Sequence, residues 1–339
     1  MKAVALTHYL PLDQAESLFD TELPTPAYGA SDLLVEVKAV SVNPLDNRVR
    51  RPKDKVEPQP RVLGWDAAGV VVAVGSDVSL FRPGDRVYYA GELGRQGSNS
   101  ELQAVDQHLV GGMPATFSFE EAAALPMSAL TAWEALFDRL RVGRERQANA
   151  GKSILIVGAA GGVGSMAVQL AGKVAGLRVI ATASREASAA WVRHMGAHDV
   201  IDHHADMSLQ LAALGLQSVD YILLVNDSDA HLPAASRLVA PQGAICIVAE
   251  ATKPIDFGPL WEKSASLVWE MVFTRVEAVP GERRVHYDIL TQVARLVDEG
   301  TIISTIGQVI SPINAATVRD AHAMLAAGKT IGKIVLKDF

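Results

Sequence analysis

The sequence predicts an α/β protein of two domains, in which a small β-barrel domain precedes a doubly wound parallel sheet. Three observations predict it. The 339 residues exceed what one hydrophobic core usually covers. Short strands separated by Gly, Pro and Asp turns fill the chain up to about residue 125. From residue 154 to residue 249 strands and helices alternate, which is typical of a parallel sheet with helices on both faces.

In the first part, the clearest strand patterns are residues 33–40, 68–75 and 86–89. Residues 120–136 are rich in Ala and have a helical period that Pro126 interrupts. We expect one domain to pass to the next at this break, after which residues 141–152 form a loop.

The second part is organised around residues 154–165, in which four branched apolar residues run directly into a Gly-rich turn. This pattern predicts a buried strand followed by a helix over 163–174. The first turn of such a helix presents unpaired amide groups and the positive end of its dipole, which suit a pyrophosphate. Although Ala159 replaces the first Gly of the strict G-x-G-x-x-G pattern, the spacing favours a dinucleotide site over a plain turn. The predicted contacts are Ala160, Gly161, Gly162, Val163 and Gly164.

The remaining elements follow the same periodicities. Strands are predicted at residues 177–182, 198–202, 219–225 and 243–249, and helices at 186–195 and 206–214. Residues 267–273 alternate as a strand, either at a sheet edge that pairs with a second subunit or inside the sheet. A helix near 287–299, a strand at 302–310, a helix near 315–327 and a strand at 332–336 return to the first domain. We therefore expect domains at 1–126 with 275–339, and at 127–274.

Composition excludes several classes of protein. The formal net charge of −7 argues against a nucleic-acid or membrane-surface binder. The single cysteine, Cys246, fits a reducing compartment, and the sequence has no signal peptide pattern and no run long enough for a membrane span. We therefore expect a cytoplasmic protein.

Six segments in this order resemble the medium-chain dehydrogenase/reductase superfamily: residues 39–46, 62–71, 81–87, 122–126, 158–164 and 332–336. Within it the chain is similar to the quinone oxidoreductase branch, and most like the zinc-type alcohol dehydrogenase-like group. The resemblance implies a GroES-like catalytic domain, a Rossmann domain and a nicotinamide cofactor held in a cleft between them. It also implies a homodimer and places Thr131, Asn226, Ala249 and Lys333 near the cofactor.

The zinc ligands of the alcohol dehydrogenase branch are absent from the matching positions. Asn43 stands at the first Cys position, and the Gly-His-Glu segment reads Gly64-Trp65-Asp66. Zinc prefers about four converging Cys, His or carboxylate ligands, and the nine histidines show no ligand spacing. We therefore expect no metal.

The residues after the second strand of the parallel sheet predict which nicotinamide cofactor binds. NAD sites place Asp or Glu there, but this chain has Ser184 and Arg185, a hydroxyl and a guanidinium that suit a 2′-phosphate. We expect NADP(H), with Ser184 and Arg185 on the phosphate and His203 near it by the resemblance.

The candidate catalytic residues are Asn43, expected to line the cleft, and Arg48, which either polarises a carbonyl or forms a surface ion pair. Trp65 and Trp269 either form an apolar pocket or belong to the core. The expected function is zinc-independent, NADPH-dependent reduction of quinones or α,β-unsaturated carbonyl compounds. The alternatives are an alcohol or carbonyl dehydrogenase, with or without zinc, and an NADPH-binding protein with little turnover.

Overall fold

The computed structural model describes residues 1–279 and 281–339. These residues form two compact units. Unit 1 comprises Met1–Met127, Phe273–Gly300 and Ser304–Phe339, and unit 2 comprises Ser128–Val272 and Thr301–Ile303. Within the described residues, every helix is too short or too polar to cross a bilayer.

The strands are β1 (Lys2–Tyr9), β2 (Phe19–Glu22), β3 (Asp32–Ser41), β4 (Lys53–Val62), β5 (Asp66–Val74), β6 (Arg86–Tyr89), β7 (Leu102–Asp106), β8 (Val110–Gly112), β9 (Ser153–Val157), β10 (Arg178–Thr182), β11 (Asp199–Ile201), β12 (Val219–Leu224), β13 (Val239–Ile247), β14 (Ser266–Trp269), β15 (Ile306–Ile310) and β16 (Lys333–Lys337).

The α-helices are α1 (Pro44–Arg50), α2 (Phe119–Ala123), α3 (Pro126–Trp133), α4 (Gly162–Gln169), α5 (Glu186–Met195), α6 (Met207–Ala213), α7 (Ser228–Leu238), α8 (Gly258–Glu262), α9 (Thr274–Ala278), α10 (Val285–Asp298) and α11 (Ala315–Ala326). Two of them continue as π-helical turns, α3 through Glu134–Arg139 and α4 through Leu170–Val174.

Unit 1 is built on a mainly antiparallel sheet in the order β15-β16-β3-β5-β6-β8, with β7 also paired to β3, and on a three-stranded sheet β2-β1-β4. The last strand, β16, pairs antiparallel with β3, so that Val335 lies opposite Ser41. β5 flanks β3 on its other side, and there Ser41 lies opposite Asp66. Residues that are far apart in the sequence therefore meet at this end of the sheet.

Unit 2 is a six-stranded parallel sheet in the order β11-β10-β9-β12-β13-β14, with helices between successive strands. Every residue of β9 is buried, as expected for a central parallel strand. The GroES-like and Rossmann-like organisation expected from the sequence is confirmed.

Several elements differ from the expectations. The strand expected over residues 302–310 begins only at Ile306, because Ile302 is buried with unit 2 instead of extending β15. The strand at 267–273 ends at Trp269, and the chain then forms α9. Helix α1 was not expected from the sequence. Its start is fixed by Pro44 and by the Asp46 carboxylate, which accepts a hydrogen bond from the backbone amide of Asn43.

Candidate functional site

The Gly-rich turn after β9 lies where the strand order of the unit 2 sheet reverses. β9 has β10 on one side and β12 on the other, and ligands of open parallel sheets bind at the carboxyl ends of strands at such a reversal. Asn226 follows β12 and reaches this turn, because a Cβ added to Gly158 would lie 2.5 Å from Asn226 Oδ1. The predicted phosphate loop and Asn226 are therefore brought together.

Two glycines in the turn are required by geometry. Gly158 has a φ of +82°, which side chains rarely allow. A Cβ on Gly164 would lie 2.3 Å from the carbonyl oxygen of Gly158, so only glycine lets α4 pack this closely on the turn. By contrast, a Cβ on Gly161 would meet protein only at 3.7 Å, which leaves open space over the loop.

The start of α4 suits a phosphate. The amide groups of Gly162, Val163 and Gly164 belong to the first helical turn and have no carbonyl partner within the helix. Thr182 was not among the residues expected from the sequence. Its Oγ1 accepts a hydrogen bond from the amide of Gly158 at 3.1 Å and so fixes the loop to the end of β10. The amide groups at the start of α4 and the open space over Gly161 fit the phosphate groups of a dinucleotide.

The carboxyl end of β10 is tied to the end of β11, since the amide of Ala183 donates to the carbonyl of Ile201. The next two residues, Ser184 and Arg185, are exposed at the start of α5. Ser188 fixes this start, because its hydroxyl donates to the carbonyl of Arg185. The first carboxylate after β10 is that of Glu186, which belongs to the first turn of α5.

His203 follows β11 and belongs to a group of three imidazoles that the sequence spacing did not reveal. Its ring centroid lies 4.2 Å from that of His204 and 5.6 Å from that of His231 on α7. Burial and the neighbouring imidazoles lower the pKa of His203. Among residues 1–279 and 281–339, no cluster of three or more His, Cys, Asp or Glu side chains is arranged to hold a metal ion.

The other expected cofactor residues of unit 2 are held by neighbouring elements. Thr131 is buried on α3. Ala249 follows β13, and its carbonyl accepts a hydrogen bond of 2.7 Å from the Ser228 hydroxyl at the start of α7. This bond joins the loops that follow β12 and β13, which carry Asn226 and Ala249.

In unit 1, Asn43 lies in a buried polar network at the end of the main sheet. Its Nδ2 donates to Asp66 Oδ2 at 2.9 Å, and its Oδ1 accepts from Lys333 Nζ at 2.5 Å. Lys333 Nζ also donates to Asp66 Oδ2 at 2.9 Å and to the carbonyl of Val42 at 3.1 Å. The other oxygen of Asp66 accepts from the amide of Met127 at 2.7 Å.

The expectation that Lys333 lies near the cofactor stays a prediction, and the structure shows the contacts of its ammonium within unit 1. An ammonium group has three N–H donors, and those of Lys333 have three acceptors inside unit 1. The side chain is 4% exposed.

Asp46 lies beside this network and is completely buried. Burial raises its pKa to about 7, although the hydrogen bond from the amide of Asn43 and the charge of Lys333 act in the opposite direction. The Asp46 carboxyl is therefore part protonated and part ionised near neutral pH.

The remaining candidates differ in their exposure to solvent. Arg48 is exposed on α1. Trp65 is 2% exposed, and its indole N–H donates to the carbonyl of Glu92, which agrees with the core alternative. Trp269 is 53% exposed at the end of β14.

The donor set at these positions does not fit zinc. The carboxamide of Asn43 is already hydrogen-bonded to Asp66 and to Lys333. An indole offers a donor and no ligand atom, and Cys246 is buried on β13 in the other unit. A positive charge already lies between Asn43 and Asp66.

The chain is similar to known proteins over its whole length. Models of an alcohol dehydrogenase GroES-like domain and a zinc-binding dehydrogenase match residues 29–133 and 195–336. The zinc-type alcohol dehydrogenase-like protein of Staphylococcus epidermidis is 37% identical over 337 residues, covering 99% of both chains. The 2-methylene-furan-3-one reductase of Solanum lycopersicum is 33% identical over 76% of this chain and 64% of its own length.

Solved structures share the fold. A Rhizobium etli protein described as a zinc-dependent alcohol dehydrogenase has a TM-score of 0.95 and 45% identity, covering 100% of this chain and 98% of its own. The quinone oxidoreductase of Coxiella burnetii has a TM-score of 0.82 and 26% identity, covering 100% and 99%. The chain belongs to the medium-chain dehydrogenase/reductase superfamily and is an oxidoreductase of that family.

Proposed function

We propose that this protein is a zinc-independent, NADPH-dependent reductase of quinones or α,β-unsaturated carbonyl compounds. The observation that carries the proposal is the centre formed by Asn43, Asp66 and Lys333, in which Asn43, at the first Cys position of the zinc branch, is hydrogen-bonded to a carboxylate and to an ammonium group. A bound nicotinamide cofactor supplies the hydride. The chain must then hold the acceptor and stabilise the negative charge that arrives with the hydride.

Since the residues of this centre do not fit zinc, we propose that unit 1 stabilises the reduced acceptor with hydrogen-bond donors and without a Lewis acid. A simple ketone would become an alkoxide, with its charge on one oxygen, and that charge needs a strong electrophile or a proton donor. A quinone or enone spreads the charge over a phenolate or enolate, which hydrogen bonds can stabilise. The tomato relative is named for a substrate of this kind, a ketone conjugated to a methylene group.

The proposed cofactor site lies in unit 2. The α4 amides bind the pyrophosphate, with Asn226, Ala249 and Thr131 towards the nicotinamide half. Ser184 and Arg185 bind the 2′-phosphate, since a hydroxyl and a guanidinium at the end of β10 attract this group where a carboxylate would repel it. His203 lies at the end of the neighbouring strand β11.

The proposal includes a homodimer. Among the described residues, β14 is one of the two edge strands of the unit 2 sheet, with β13 on one side and β11 at the opposite edge. A strand edge with an exposed Trp269 is a surface that pairs readily with a second copy.

The test is oxidation of NADPH, with NADH in parallel, against quinones, enones, aldehydes and ketones, with and without a chelator. We expect turnover of quinones or enones that prefers NADPH and ignores the chelator. Turnover of simple aldehydes that the chelator abolishes would contradict the proposal and favour a zinc-dependent dehydrogenase. Tight NADPH binding without turnover of any acceptor would favour a cofactor-binding protein.

A further inference from the structure

The ammonium of Lys333 is held like a coordinated ion. Three oxygen atoms surround it: the carbonyl oxygen of Val42 at 3.1 Å, Asn43 Oδ1 at 2.5 Å and Asp66 Oδ2 at 2.9 Å. They come from two segments more than 260 residues away in the sequence. The side chain is 4% exposed, so water does not screen these contacts strongly.

Asn43 and Asp66 occupy the positions at which the zinc branch places a Cys ligand and the Glu of its Gly-His-Glu segment. Here both side chains point to one ammonium nitrogen. We infer that Lys333 is the resident cation of this centre and that it is a positioning residue for Asn43. The part of this inference that concerns catalysis rests on the proposed function.

The ammonium fixes the orientation of the Asn43 carboxamide. Because Oδ1 accepts from Lys333, Nδ2 must face Asp66, to which it donates at 2.9 Å. Among the described residues, the acceptor for the second hydrogen of Nδ2 is the carbonyl of Ser41, at the long distance of 3.4 Å. A cation on the carbonyl oxygen withdraws electron density from the amide and strengthens this second N–H as a donor. Lys333 thus acts on an acceptor molecule through Asn43.

The fit of the ammonium offers a direct test. In Lys333→Ala the deleted atoms correspond to n-propylammonium, three carbons and one charged nitrogen. We expect 50 mM n-propylammonium to raise the melting temperature of this variant by about 2–4 °C, because it binds only the folded state. Uncharged n-propanol should not do so, and neither compound should stabilise the wild type. Equal effects of both compounds, or none, would overturn the assignment of a cation site.

The catalytic arm uses the same variant with NADPH and a quinone. We expect kcat to fall by about 100-fold, as for the loss of a charge-assisted hydrogen bond, while the Kd for NADPH stays within about twofold. n-Propylammonium should raise the kcat of Lys333→Ala by about tenfold. An unchanged kcat in Lys333→Ala would overturn the positioning role. If the wild type reduces no acceptor, the proposed function fails, whereas the melting experiment still decides the cation site.

Two further variants guard against misfolding. Lys333→Met keeps most of the apolar stem without the charge, and its kcat should fall as far as that of Lys333→Ala. Lys333→Arg keeps the charge and should retain more activity than either variant. Lys337→Met is the matched control, since Lys337 lies on the same strand with its side chain 38% exposed. A loss of kcat in Lys337→Met equal to that in Lys333→Met would also overturn the inference.

Discussion

A Cβ on Gly164 would lie 2.3 Å from the carbonyl oxygen of Gly158 and 2.6 Å from the Cα of Ala159. Both contacts are with backbone, which cannot move aside as the end of a side chain can. The close packing of α4 on the turn after β9 therefore depends on the missing side chain at this position.

Gly164→Ala should destabilise unit 2 by about 1–3 kcal/mol, the usual cost of forcing an extra carbon into a packed site. The measurement is chemical denaturation followed by circular dichroism. Gly161→Ala is the matched control, because its new Cβ would meet protein only at 3.7 Å. The control should keep its stability but weaken NADPH binding, since the methyl group lies over the phosphate loop. Equal stability of the two variants would contradict the packing argument.

The exposed pair after β10 predicts cofactor preference. Ser184→Asp combined with Arg185→Ala should raise the Kd for NADPH by about 100-fold through loss of charge-assisted contacts and gain of a like charge. The Kd for NADH should change by less than about threefold, because NADH has no 2′-phosphate. Fluorescence titration of both cofactors measures this. Arg193→Ala, an exposed arginine in the last turn of α5, is the control. Parallel losses for NADPH and NADH would refute the assignment.

The buried Asp46 predicts how stability depends on pH. Its folded pKa is raised to about 7, so the native state binds the proton more tightly than the unfolded chain does. Its contribution to stability is therefore complete at acidic pH below the ordinary Asp pKa and is lost as pH rises through 7. Between pH 5 and pH 8 the loss is about 2–3 kcal/mol.

Asp46→Asn should remove this part of the slope, as measured by urea unfolding at several pH values. The difference in the free energy of unfolding between wild type and variant should therefore be smaller at pH 8 than at pH 5. Asp13→Asn, on the surface, should leave the slope unchanged. If the stability of Asp46→Asn changed with pH as that of the wild type does, the prediction that Asp46 titrates between pH 5 and pH 8 would be wrong.

The exposed edge of β14 allows a test of the proposed dimer. Trp269→Lys should weaken the dimer at least about tenfold, because a charge on a strand edge opposes pairing. Light scattering over a range of concentrations measures this. Trp261→Lys on α8 removes a tryptophan that is 82% exposed but lies outside the strand, and should leave the dimer intact. A wild type that is monomeric at all concentrations would contradict the proposed assembly.

Local patterns predicted most of unit 2. The strand, turn and helix from β9 to α4 are encoded by adjacent residues, and the helix at Glu186–Met195 has the predicted bounds. The network in unit 1 was not predictable in this way. Lys333 and Asp66 meet because β16 and β5 both pair with β3, and a single sequence carries no local signal of that pairing. The group of His203, His204 and His231 depends likewise on how α7 packs near the end of β11.

The position of Lys333 in the sequence also affects the order in which the centre can be completed. Asn43 and Lys333 are 290 residues apart, so at about 5–20 residues per second the ribosome makes the lysine roughly 15–60 s after the asparagine. Until then Asp66 has hydrogen bonds from Asn43 and from the amide of Met127 but no positively charged partner. Because residues 39–41 of β3 pair with β16, we expect this end of the sheet to be completed only after the parallel sheet has been synthesised.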